Sequence, residues 1–235
     1  MPAYGFLMNM KKYRLFIVIL AFLLLTGCTL PEPDVSSEDC LQLKNYKLPL
    51  ELDGILSIES IYSSDCSFPE DGSFENKEDV LTLEIRNIGT EMLKLARVFI
   101  VTDKNEYLFE ITSLPEDSVM LVFEKNGSRA SADEEVQNIR LENTVFFENG
   151  ASLQKDLFEI SEFNKVMNVR NITKDRDFST VYVYFKKRNA DGKYFGGITF
   201  RAKVSSLKAG ELKQISVPDF STDDSEVVFV EYVQI

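Results

Sequence analysis

Val80-Leu81-Thr82-Leu83-Glu84-Ile85-Arg86-Asn87 alternates without a break. Leu81, Leu83 and Ile85 fall on one side; Thr82, Glu84 and Arg86 fall on the other. That period of two is the pattern of a strand with one face in a core and one in water. Leu95 to Val101 predicts the next strand and Asp103-Lys104-Asn105 a polar turn. Tyr107, Phe109 and Ile111 then share a face of the return strand. Pro115-Glu116-Asp117 turns the chain into Ser118–Phe123, where Val119, Leu121 and Phe123 are expected to point inward, and Asn126-Gly127 closes the unit. Short strands with turn signals every 8–12 residues predict an antiparallel sandwich rather than a βαβ fold.

The same signals return later in the same order. Glu84-Ile-Arg-Asn-Ile88 is matched by Asn168-Val-Arg-Asn-Ile172, Val98-Phe-Ile-Val101 by Val181-Tyr-Val-Tyr184, and Ser113-Leu114 by Ser206-Leu207. About ten extra residues in the second copy, including the hairpin dipeptide Asp191-Gly192, predict a longer central hairpin. Three ordered matches indicate an internal duplication, although shared β patterning alone would also align two such stretches. The expected organisation is an all-β chain with two sandwich domains, residues 50–132 and 133–235, behind a signal segment (1–27) and a tether (28–49).

A strand ending in Asn, a short polar turn, two aromatic-aliphatic strands and a Leu-x-x-Gly-Glu turn (Leu207 to Glu211) form a further pattern. It resembles the immunoglobulin-like or fibronectin-like accessory domains of bacterial surface lipoproteins, of the FxLYD and CARDB kind. The resemblance covers Val166 to Val217 best and Leu81 to Phe123 less well; Pro115-Glu116-Asp117 stands where Gly-Glu is expected. It implies two antiparallel immunoglobulin-like sandwiches serving binding, spacing or assembly, and carries over no catalytic residue.

The N-terminus gives an address. Lys11, Lys12 and Arg14 precede the eleven apolar residues Leu15 to Leu25, and Leu25-Thr26-Gly27-Cys28 resembles a bacterial lipobox. The apolar run is about half of the roughly 20 residues a spanning helix needs. Cys28 is therefore expected to be the lipidated first residue of the mature protein. Acyl chains would hold it to the cell membrane with the folded part on the extracytoplasmic face. Removal of residues 1–27 takes away three basic and no acidic residues, moving the net charge from −12 to −15. Such a surface repels phosphate backbones, so nucleic acid is not an expected partner. Residues 29–49, rich in Pro, Ser and acid, read as a spacer of roughly 25 Å. Outside the cytoplasm Cys40 and Cys66 could pair, or stay as two thiols.

Histidine is absent, which removes the commonest general base and transition-metal ligand. Ser205-Ser-Leu-Lys208 has Ser-x-x-Lys spacing but lies in a strand-to-turn segment. Acidic pairs such as Glu134/Glu135 and Asp223/Asp224 follow from 38 acidic residues alone. Asp219 to Asp224 begins like a calcium loop but lacks the sixth-position Gly and the twelfth-position Glu. Gly196-Gly197 reads as a bulge or a close backbone approach, and Asn171 as bonding its own turn. No catalytic residue, metal or cofactor is expected. The expected activity is a non-enzymatic binding or assembly module for an unknown protein, peptide or glycan. A structural subunit of a larger envelope complex is the alternative, and a carboxylate-based hydrolase a remote one. Tyr182, Tyr184, Tyr194 and Phe195 are the candidate partner surface, against a reading in which the paired tyrosines simply pack between domains.

Overall fold

Residues 80–87 lie in the strand β3 (Lys77–Asn87), and Leu81, Leu83 and Ile85 are fully buried. This computed structural model describes residues 40–66, 76–147, 150–163 and 166–235. The signal segment, the Leu25–Cys28 motif and most of the tether lie outside the described residues, among which no helix is long and apolar enough to cross a membrane. The described chain is all-β, and its strands pair antiparallel but for one short pair and an isolated parallel bridge between Gln42 and Glu135.

In the first half, β1 (Leu50–Leu52) pairs with β2 (Leu56–Cys66), β2 with β3, and β3 with β6 (Val119–Phe123). The facing sheet sets β4 (Leu93–Thr102) between β5 (Glu106–Leu114) and β7 (Val136–Phe146). Ala96, Val98 and Ile100 from β4 and Tyr107, Phe109 and Ile111 from β5 meet Ile58, Leu83 and Ile85 in one core. Burying each large apolar side chain contributes about 1.5–3 kcal/mol. The expected common face of Tyr107, Phe109 and Ile111 is the one buried.

The second half repeats this order. β8 (Phe158–Phe163), β9 (Val166–Asn171) and β13 (Leu212–Ser216) form one sheet, with β9 central. β10 (Phe178–Lys187) lies between β12 (Phe200–Leu207) and β14 (Ser225–Gln234) in the other. Met167, Val169, Phe178, Val181, Val183 and Phe185 supply its core. The correspondence reaches single hydrogen bonds. Asn87 and Asn171, both fully buried, end their strands. Asn87 Oδ1 accepts from Gly89 N at 3.0 Å and Asn171 Oδ1 from Thr173 N at 3.0 Å. Asn87 Nδ2 donates to the carbonyls of Glu91 and Leu114, and Asn171 Nδ2 to that of Arg176. The following Ile88 and Ile172 N–H groups donate to the residues just before β2 and β8, Ile55 and Leu157. Ser113 and Ser206 share a left-handed backbone, with φ of 50° and 54°.

Four expectations change. The face of β3 expected in water is covered at its start, where Val80 is buried with Cys66 and Phe123, and Thr82 is buried and shares a hydrogen bond with Ser64. β6 buries Met120 and Val122, with Val119 and Leu121 half-exposed. Its run Val-Met-Leu-Val-Phe is apolar throughout, so alternation cannot choose a face; pairing of Leu83 with Val122 and Ile85 with Met120 does. β7 belongs with β4, so the first group of strands runs to Phe146, past the expected division at 132/133. The end of the expected tether is packed. Cys40 and Leu41 are buried, while Gln42 N–H donates to Glu134 O and its carbonyl accepts from Val136 N–H.

The extra hairpin residues join the halves. β11 (Tyr194–Phe195) adds to β6 in parallel, with Tyr194 opposite Met120 and Phe195 opposite Leu121. Gly196 N–H donates to Leu121 O at 2.7 Å, and Gly197 O accepts from the Thr112 hydroxyl. Gly197 takes a left-handed backbone, with φ of 69°, which favours glycine there. Lys193 Nζ lies 2.8 Å from Glu84 Oε2. The buried Lys186 Nζ donates to Ile198 O at 3.1 Å.

Candidate functional site

On β10 the inward residues Val181, Val183 and Phe185 leave Thr180, Tyr182 and Tyr184 on the outer face. The registers of β12 and β14 then set three rows across that face: Ser205–Thr180–Val233, Lys203–Tyr182–Glu231 and Arg201–Tyr184–Phe229. The Arg201 guanidinium carbon is 5.0 Å from the Tyr182 ring centroid and Lys203 Nζ is 6.0 Å away, both within cation–π range. Tyr184 OH donates to Glu231 Oε2 at 2.8 Å. Burial first, and that carboxylate second, push its phenol above the ordinary tyrosine value.

The two tyrosines have separate jobs. Tyr184 stacks on Phe229 at 4.2 Å, and Phe147 meets Phe229 edge-on at 4.8 Å, so this row is packed against the first half. Tyr182 stays half-exposed beside it. A groove of about 560 Å³ opens there, lined by Lys94, Phe147, Ser152, Gln154, Tyr182 and Glu231 among others. Among the described residues, no carboxylate comes within ion-pair distance of Lys94, Arg201 or Lys203. The patch is a local concentration of positive charge on a chain of net charge −12.

Tyr194 and Phe195, expected in the same surface, sit elsewhere. Tyr194 is only 6 % exposed, and Phe195 stacks on Phe123 with centroids 6.5 Å apart. Burial, then Glu226, raise the Tyr194 phenol well above its usual range. Both are spent on joining the halves. Arg201, Lys203 and Glu231 escape a linear reading because cross-strand register brings them to Tyr182, and Lys94 because it reaches the same groove from β4 of the first half.

The cysteines are likewise separated. Cys40 lies in the first core with its thiol 3.7 Å from Ile61 O, whereas Cys66 is buried with Val80 and Phe123. Ile61 and Cys66 are five residues apart on β2, roughly 17 Å of strand. A disulfide needs Cα atoms within about 7 Å, so the expected Cys40–Cys66 bridge is not made.

Four carboxylates, Glu110, Asp133, Glu134 and Asp224, are held below their ordinary values. Burial pushes Glu134 up, but hydrogen bonds from Thr102 (2.7 Å) and Tyr107 (2.9 Å) outweigh it and leave the acid below its ordinary value. Burial likewise opposes ionisation of Glu110 and Asp224. Lys125 and Arg97 prevail at the first, and Lys187 at the second. Asp133 is held down by Lys104. These acids are locked as anions in structural networks, unlike a catalytic acid kept protonated. Among the described residues, no three His, Cys, Asp or Glu side chains gather as metal ligands. Asp224, in the calcium-like turn, is 2.8 Å from Lys187 Nζ.

Tyr107→Phe should cost about 1.5–3 kcal/mol at neutral pH, the usual range for a hydrogen bond to a charged group. The folded-state pKa of Glu134 is depressed, so its contribution is present above the ordinary carboxylate pKa and is lost as pH falls through the folded one. The gap between parent and variant should therefore narrow on acidification. Denaturant unfolding at a series of pH values measures it; a gap that widens on acidification would contradict this network.

No family model matches the chain, and neither a curated protein nor a solved structure is matched.

Proposed function

We propose that this chain is a lipid-anchored envelope protein in which two tandem immunoglobulin-like sandwiches act as a non-enzymatic binding or assembly module. The anchor reading rests on the basic, apolar and Leu25-Thr26-Gly27-Cys28 sequence; the tandem reading rests on the repeated strand order and the paired Asn87 and Asn171 turns. The observation that carries the binding reading is the half-exposed Tyr182 between Arg201 and Lys203, beside an open groove. An aromatic ring beside cations that have no carboxylate within ion-pair distance presents apolar area and charge together, as interface centres do. The inserted hairpin adds a second support: lying between β10 and β12, it ties this sheet to β6 of the first half.

Cys28→Ser should move the protein from the membrane fraction to the soluble fraction or leave its precursor uncleaved. Unchanged processing and attachment would remove the anchor. A photo-crosslinking residue at position 203, tested in intact membranes, should give discrete adducts that one at Asn138 does not. Equal labelling at the two positions would remove the binding face.

A further inference from the structure

We infer that the outer face of β12-β10-β14 docks an extended acidic peptide whose carboxylates, at alternate positions, lie along Arg201 and Lys203; this rests on the binding reading above. Arg201 and Lys203 project from one strand two residues apart, which sets their Cα atoms about 7 Å apart. Alternate side chains of an extended peptide repeat at the same spacing, so two successive carboxylates meet two cations without bending either backbone. The Tyr182 ring lies inward of both cations, giving apolar surface to the peptide stem. Glu231, on the far side of Tyr182, repels a carboxylate there and is already taken by the Tyr184 hydroxyl. The acidic side of the ligand is thus directed to β12 and no other strand of the sheet.

Docking on the face, instead of adding a strand at an edge, is favoured by how two of the edges, β13 and β14, are treated. β13 stands where β6 stands in the first half, but the position of Met120 is taken by Lys213. Lys213 Nζ reaches back to donate to Ser205 O at 2.7 Å. A charged side chain directed inward from an edge strand obstructs pairing with another chain. At β14, the Val230 N–H already donates to Ser152 O. The overall charge of −12 opposes an acidic ligand at long range. At physiological salt, however, the screening length is about 8 Å, so the local cations decide.

The test uses the full chain in detergent micelles and titrates it calorimetrically with ten-residue Glu-Thr and Lys-Thr alternating peptides, polygalacturonate, and phosphatidylglycerol vesicles. The Glu-Thr peptide should bind and the Lys-Thr peptide should not. Arg201→Glu and Lys203→Glu should each weaken binding about tenfold, with Arg201→Gln intermediate and all three variants retaining the parent's melting temperature within a few degrees. Absence of Glu-Thr binding, insensitivity to both reversals, or preference for polygalacturonate or vesicles would overturn the inference. Crosslinking at position 203 without Glu-Thr binding removes the acidic class alone; loss of both removes the binding site itself.

Discussion

Asn87→Ala should destabilise the protein by about 3 kcal/mol, and Asn171→Ala should do so by a similar amount. Each side chain is fully buried and serves as both donor and acceptor within its own turn. Removing Asn87 takes the side-chain donor from the Glu91 and Leu114 carbonyls and leaves the Gly89 N–H with Ile55 O alone, and an orphaned buried polar group costs about 1–3 kcal/mol. Water entering the space recovers part of the loss, so the sum of three full penalties is not reached. In a chain of this size each kcal/mol lowers the melting temperature by about 2–4 °C, so a fall of roughly 6–12 °C is expected for either variant. Asp at either position keeps the acceptor, loses the donor, and should fall between. A change below 2 °C in one variant and a large one in the other would show that the two turns are not equivalent.

Tyr194→Ala should be comparably damaging, at about 3 kcal/mol or more, because truncating a buried aromatic removes its transfer energy and leaves a cavity. Its effect is also expected to be directional. Tyr194 belongs to the first core although its sequence neighbours belong to the second half. The backbone pairing of β11 with β6, the Lys193–Glu84 ion pair and the Phe195–Phe123 stack all depend on the hairpin staying in place. Loosening it should expose residues 188–198 to proteolysis before either core opens. Limited proteolysis with mass mapping of the first cuts separates the possibilities. Early cleavage within 188–198 is expected; first cuts inside β3 or β9 would mean that the hairpin does not hold the halves together.

How much of this was legible depended on whether local pattern or long-range pairing fixed the outcome. Tyr107 to Ile111 and the Leu81, Leu83 and Ile85 face of β3 were readable from alternation, but the burial of Val80 and Thr82 on the opposite face was not, because it depends on neighbouring strands that supply Cys66 and Phe123. The turn role of Asn171 was readable too, since a short amide side chain competes locally for the backbone. β6 was not, being apolar on both sides: its outer Phe123 is buried with Cys66, Val80 and Phe195. β11 was unreadable for a different reason. Two residues carry no period, and its partner lies some seventy positions earlier, opposite Met120 and Leu121. Tyr182 was named from its side-chain chemistry, but the same reasoning named Tyr194, which is buried, and Phe195, which is half-buried against Phe123. What separates them is a strand crossing from one half to the other. The cationic neighbours of Tyr182 come from β12, and their contribution exists only once Arg201 stands opposite Tyr184 and Lys203 opposite Tyr182.

The most direct measurement is mass spectrometry of the N-terminal peptide of the protein purified from its own membranes. A chain beginning at Cys28 with diacylglycerol on the thiol is the expected result. An unmodified chain that retains residues 1–27 and is recovered from the cytosol would contradict it.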